Sequence, residues 1–231
     1  MGVTELPTPD GILSGQGAWL YAVAVTDVRS SEIVIDKMLK ADQPEALAAL
    51  ARAFWPDPLF GFFARDRLWE HQTLGRSFSV FLADASPFDT SWVARAGSRV
   101  VGAAVWLPPG AMPRSRRRET VVQARMARLL ITGRNRRRGM ELLAAVDKLH
   151  PHEPHWYLAL LGTDPLVQGR GAGARLLEPA LDRADEAGVL SSLETQKEQN
   201  LAFYARHGFV LANEVRIEGS PPVWAMRREP R

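Results

Sequence analysis

Trp156-Tyr-Leu-Ala-Leu-Leu-Gly-Thr-Asp-Pro-Leu-Val-Gln-Gly-Arg-Gly-Ala-Gly-Ala-Arg-Leu-Leu177 is the stretch whose reading decides the fold. Trp156 to Leu161 form an apolar run of strand length, and Gly162 and Pro165 end it. Gln168 to Gly173 follow as a glycine-rich loop, and an apolar-periodic helix pattern begins directly after it. Strand, glycine loop and helix in this order make a phosphate cradle. The first amides of a helix lack intrahelical acceptors, and the helix dipole adds partial positive charge. Glycines let the backbone approach the ligand closely.

Two nucleotide folds compete for this loop. A P-loop needs Gly-Lys-Ser/Thr at the helix start, and here Ala174 and Arg175 follow Gly173. A dinucleotide fold fits the relaxed pattern Gly169-x-Gly171-x-x-Ala174, with the acid Glu194 about twenty residues further on. Against it, the segment from Leu161 to Gly169 is too long for a tight turn straight off the strand. Only one strand–helix–strand unit is visible, whereas that fold repeats the unit.

Working outward, the chain has 231 residues and 46% hydrophobic content, enough for a sizeable core. It has no cysteine, which excludes a disulfide framework and a thiolate nucleophile. No apolar run approaches the ~20 residues of a membrane span. The apolar patch Ala18–Val25 has no positive charge before it, so no signal peptide is expected and the reading is cytoplasmic. Residues 1–30 read as an extension and 31–231 as one domain.

Charge is uneven. Residues 114–138 hold ten arginines and one acid, 10 − 1 = +9, within a chain of net +3. Arginine outnumbers lysine throughout, so the block reads as a solvated helix face and nucleic acid is not expected as a partner.

Residues 32–39 read as a first strand. Asp42, with Pro44 and Glu45 behind it, predicts a capping box for a helix carrying Leu47, Leu50 and Phe54. Pro56 and Pro58 break that helix in an aromatic-dense region. A further helix carries Leu74, Phe78, Phe81 and Leu82. Ser91–Ala96 and Arg99–Leu107 predict a hairpin about Gly97-Ser98. Two helical patterns follow in the arginine block, with Gly133 and Gly139 bracketing their joint, and predict a packed helical hairpin with its arginines outward. His150, His152 and His155 lie among prolines that force extended geometry, with no helical histidine pair, so no metal site is expected. After the loop helix, which carries Pro179 and ends at Gly188, come a strand at 189–195, a short helix at 201–206 and two last strands at 209–217 and 223–227.

Gln168-Gly-Arg170-Gly171-Ala-Gly173, Leu193-Glu194-Thr195 and Asn200-Leu-Ala-Phe203-Tyr204-Ala-Arg206-His-Gly208-Phe209 resemble the motifs of the GNAT superfamily of N-acetyltransferases. Within it, Glu153-Pro154-x-Trp156-Tyr157-Leu158 and the final Trp224-x-Met226 are most similar to the puromycin N-acetyltransferase group. The likeness is close over 150–228. Upstream it thins to element order, with Trp106 before a turn as one echo.

The resemblance implies an α/β (α+β) fold: a mixed central sheet of about seven strands, flanked by helices, with a splayed motif strand. It implies acetyl-CoA as acyl donor, gripped by Gln168, Gly169, Arg170, Gly171, Ala172 and Gly173. The pantetheine arm would lie along Leu160, Leu161, Gly162 and Thr163, with a bulge at Gly162 and a bond from Asn200. Tyr204 would protonate the departing thiolate, or else be a core tyrosine. Glu194 would be the base for the amine, or a structural or amine-binding group. Trp55, Asp57, Phe60 and Trp106 are pocket candidates from aromatic density and expected position. The implied acceptor is a small primary amine, aminonucleoside- or antibiotic-like. A peptide acceptor, or a non-catalytic acyl-CoA-sensing module, are the alternatives.

Overall fold

The computed structural model describes Val28, residues 30–55 and residues 57–231. The Ala18–Val25 patch and nearly all of the expected extension lie outside the described residues. Seven strands, β1 (Ile33–Lys37), β2 (Ser91–Ala96), β3 (Arg99–Leu107), β4 (Trp156–Thr163), β5 (Ser191–Thr195), β6 (Val210–Val215) and β7 (Val223–Arg228), form one sheet. Their order is β1-β2-β3-β4-β5-β7-β6, antiparallel except for the parallel pair β4–β5. The helices are α1 (Gln43–Ala53), α2 (Pro58–Phe63), α3 (Arg67–Ala85), α4 (Arg116–Leu130), α5 (Arg136–Asp147), α6 (Ala172–Glu186) and α7 (Gln199–Arg206). This is the helix-flanked mixed sheet that the resemblance implies. Among the described residues no helix is long and apolar enough to cross a membrane.

Side chains alternate along a strand, and here both faces are covered. On one face Trp92, Ala94, Trp106, Trp156 and Leu158 pack against Leu176, Leu177 and Leu181 of α6. On the other, Val93, Val105, Leu107 and Leu160 meet Leu50 of α1 and Leu74, Phe78 and Leu82 of α3. Leu158 and Leu160 stand two apart yet face opposite layers. The cause is a bulge: Val105 pairs with Leu160 and Trp106 with Leu158, so Ala159 is the extra residue in β4.

The bulge is therefore at Ala159, not at Gly162 as expected. Gly162 is required by packing: a Cβ there would stand 2.8 Å from the Cβ of Ala53, so α1 could not lie as close to the sheet. The capping box at α1 is also absent. Asp42 turns back to accept from the Leu39 amide at 2.9 Å and pairs with Arg95 at 2.7 Å. Glu45 reaches across to the Val100 amide of β3 at 2.8 Å. Both acids find partners in the sheet, and these displace the local cap. The helix after the loop runs unbroken through Pro179.

The arginine block departs most from expectation. α4 lies along α3 and α5 touches β6, so the two helices do not pack as a hairpin. Gly139 is inside α5 rather than at the joint, because the Phe63 ring fills the place of a Cβ there. Most of the arginines are exposed, but Arg114 and Arg118 turn inward. They close on Asp84 of α3 at 2.7 Å and 2.9 Å, and the Arg114 and Asp84 side chains are only 8% and 4% exposed. A buried carboxylate recruits the nearest guanidinium, whatever the charge of the surrounding run.

Candidate active site

The pairing of β4 with β5 covers only Trp156–Leu158 against Ser191–Leu193. Beyond it the Ala159 bulge turns β4 away, while Glu194 and Thr195 stay paired with Ala225 and Trp224 of β7. The two strands splay, and the backbone of β4 from Ala159 onward is open on its β5 side. A cavity of about 1040 Å³ fills the gap.

Past β4 the chain is pinned. Asp164 is buried, accepts from the Leu166 amide at 3.0 Å and takes Arg52 Nε at 2.6 Å, which ties the turn to α1. Gln168 Nε2 donates to the Thr163 carbonyl at 3.1 Å. Gly169 and Gly171 have φ of +78° and +80°, a region open to glycine at little cost. They bring the chain round so that Ala172, Gly173 and Ala174, the first turn of α6, line the cavity. Helix geometry leaves those amides without intrahelical acceptors. Arg170 departs from expectation: its guanidinium points away and donates to the carbonyls of Val28 and Ser31 at 3.1 Å and 2.6 Å.

Glu194 opens onto the same cavity with its side chain 6% exposed. Its Oε2 accepts from the Tyr157 hydroxyl at 2.8 Å. Burial pushes the carboxyl up to about 7, although the Tyr157 bond and the Arg114 guanidinium pull it down. The same burial, with the carboxylate beside it, pushes the Tyr157 phenol well up. His150 meets the Tyr157 ring edge-on at 4.6 Å and stacks with His155 at 6.1 Å. Burial, helped by His155, lowers His150 to about 4. His150 is therefore neutral at pH 7, and its Nδ1, 3.8 Å from Glu194 Oε1, makes no ion pair. Among the described residues no group of three His, Asp or Glu side chains is gathered to hold a metal.

Tyr204 and Asn200 share one face of α7, a turn apart, and both line the cavity. Tyr204 is buried against Phe203 and Phe209, and burial pushes its phenol up, so it keeps its proton. Its hydroxyl makes no hydrogen bond within the described residues. Asn200 Nδ2 donates to Thr195 Oγ1 at 3.0 Å.

The pocket candidates divide. Asp57 and Phe60 line the cavity, and Asp57 caps α2 through the Leu59 and Phe60 amides. Trp55 instead meets His71 edge-to-face and carries the Arg67 guanidinium over its ring, outside the cavity. Trp106 is fully buried on the α6 face, edge-on to Trp156, because its strand position points it away from the cleft. Tyr157, His150, Arg114 and Lys197, which sits 3.9 Å from Asp57, line the cavity without having been singled out for it. Only Tyr157 carried a signal, as the inward residue between Trp156 and Leu158.

Residues 46–209 match the profile of the Acetyltransferase (GNAT) family. The chain belongs to this family. GNAT proteins use acetyl-CoA, and the open β4 edge and the bare amides at α6 suit a pantetheine and a pyrophosphate. Among solved structures, a histone acetyltransferase and related acetyltransferase from Corynebacterium glutamicum has a TM-score of 0.63 at 23% identity, covering 86% of this chain and 97% of that one. A polyamine N-acetyltransferase from Drosophila melanogaster has a TM-score of 0.61 at 20% identity, covering 86% and 100%. At these identities the likeness shows the fold alone. An uncharacterised N-acetyltransferase of Schizosaccharomyces pombe is 32% identical over 88 residues, 36% of each chain. A probable serine/threonine-protein kinase of Dictyostelium discoideum is 29% identical over 80 residues, 33% of this chain and 11% of that protein.

Proposed function

We propose that this GNAT protein transfers the acetyl group of acetyl-CoA to the primary amine of a small molecule. The observation that carries the reading is Glu194, a buried carboxyl raised to about 7, opening onto the same cavity as the glycine loop and Tyr204. Acetyl-CoA supplies an activated thioester. The amides from Gln168 to Gly173 hold its pyrophosphate at the positive end of α6. The unpaired edge from Leu160 to Thr163 takes the pantetheine as an extra strand would be taken, and Asn200 binds the same arm. A free β4 amide near the bulge stabilises charge developing on the thioester oxygen.

Glu194 accepts the proton that the incoming ammonium must lose, and Tyr157 holds the carboxylate in place. A group titrating near 7 is charged often enough to act and basic enough to take the proton. The amine nitrogen then bonds the acetyl carbon, the C–S bond breaks, Tyr204 gives its proton to the leaving sulfur, and the second proton that the nitrogen sheds on becoming an amide restores the Tyr204 phenol. Arg170 contributes its backbone alone. We take the acceptor from the broad class of small amines that the resemblance of the sequence motifs to the puromycin N-acetyltransferase group implies.

The test is release of free thiol from acetyl-CoA in the presence of a primary-amine panel that includes puromycin, with peptides alongside. Amine-dependent release that falls about a hundredfold in Tyr204→Phe is the expected result. Saturable CoA binding with no turnover on any acceptor would sink the reading in favour of a sensor. Turnover on peptides alone would sink the small-amine acceptor.

A further inference from the structure

α4 and α5 are amphipathic, and two such helices joined by a short connection normally bury their apolar stripes against each other. Here they do not. α4 is drawn onto α3 by the Arg114–Asp84–Arg118 cluster. The connection between them is tied to the end of α2 and the start of α3: Arg134 N–H donates to the Phe63 carbonyl at 2.7 Å, Asn135 Nδ2 to the Phe62 carbonyl at 2.9 Å, and Trp69 Nε1 of α3 to Thr132 Oγ1 at 2.9 Å. The Phe63 ring, seated against Gly139, holds the helices apart. Val122 and Met126 of α4, Met140 and Leu143 of α5, and Phe60 and Phe81 opposite them therefore line a chamber instead of a helix interface. That chamber is continuous with the space at Glu194 and Tyr204.

The charged groups on its wall are mostly engaged. Glu119 lies 3.7 Å from Arg114 and accepts from Gln123. Asp57 accepts two backbone amides and stands 3.9 Å from Lys197. Asp147 is exposed at the end of α5. Among the described residues lining the chamber, a second cationic group would find no buried carboxylate without a cation beside it other than Glu194, while an apolar group would find side chains that gain from being covered.

We infer that the acceptor is a monoamine on an extended apolar body, alkyl or aryl, whose apolar part lies between α4 and α5 while its amine meets Glu194. The inference rests on the transferase reading above and narrows its acceptor. Linear diamines and polyamines are poor acceptors, since their distal ammonium would be stripped of water without a partner.

The experiment measures kcat/KM for propylamine, butylamine, pentylamine, hexylamine and phenethylamine against putrescine, spermidine and agmatine, with thermal-shift binding of the same amines in the presence of CoA. The expected result is a rise of roughly three- to fourfold per added methylene. Met126→Lys, and separately Met140→Gln at a side chain already 57% exposed, flatten that rise, with an unchanged thermal melt as the check that each variant is folded. Fastest transfer to spermidine or agmatine, transfer to peptides only, or a flat alkyl series overturns the inference and leaves the transferase standing. Chain-length-dependent binding without acetyl transfer supports the chamber assignment and sinks the transferase. Neither binding nor transfer overturns both.

Discussion

The wall of the cleft that we propose for the donor runs without a break from Trp156 to the first turn of α6. The wall that we propose for the acceptor is gathered from α1, α2, α3, α4 and α5, segments up to about a hundred residues apart. The donor wall works chiefly through backbone: a strand edge, two glycines at positive φ and the bare amides of α6. The acceptor wall works through side chains held by remote partners, such as Phe63 in the space beside Gly139 and Arg114 on Asp84. A backbone site tolerates change in side chains and is sensitive to main-chain geometry. A side-chain site behaves the other way, and substitutions can test that difference.

The largest effect is expected where the walls meet. Glu194→Gln should lower kcat by roughly 10²–10⁴ and remove the rise of kcat with pH near 7. In the unchanged protein that rise should show no descending limb from Tyr204 below about pH 10, because burial keeps its phenol protonated. The same carboxyl has a stability signature. It holds its proton more tightly folded, at about 7, than its ordinary 4.5. Its contribution to stability is thus fully present below pH 4.5 and is lost as pH rises towards 7, by roughly 3 kcal/mol in all. Denaturant titrations at pH 5 and pH 8 should show that slope, and Glu194→Gln should lack it.

Next in size is Asp84→Ala, which strands the buried Arg114 guanidinium and should cost about 3–5 kcal/mol of stability. It should loosen α4 and raise KM for the amine more than KM for acetyl-CoA. Equal rises would break the division between the walls. Gly139→Ala puts a Cβ 2.1 Å from the Phe63 ring and should cost about 1–3 kcal/mol, again with CoA affinity preserved. Smallest is Gly171→Ala, with φ at +80° and open space around the new Cβ. The strain of about 1 kcal/mol should appear as weaker CoA binding by calorimetry, with amine selectivity unchanged.

The contrast also explains what could be read from the chain. The strand–loop–helix unit, the hairpin of β2 and β3, and the pairing of Asn200 with Tyr204 rest on local periodicity, and the structure places them as expected. Trp55 and Trp106 did not join the pocket, although aromatic density marked one and position the other. Density says how much apolar surface a segment carries, not which layer receives it. Trp106 went to the α6 face because of its strand phase, and Trp55 to the far side of the proline break. His150 stood in a histidine-rich stretch whose meaning depends on Tyr157 and Glu194, more than forty residues apart from one end to the other.

The sequence by itself determined the order of the strands and longer helices and the glycine loop at the start of α6. Each follows from residues a few positions apart, where sterics and periodicity act directly. Only the tertiary structure decided that the bulge falls at Ala159, that Glu194 loses its water and titrates near neutrality, and that the arginine-rich helices stand apart. Those outcomes depend on desolvation and close packing between distant segments. A carboxyl in the sequence carries its ordinary acidity until the fold determines what surrounds it.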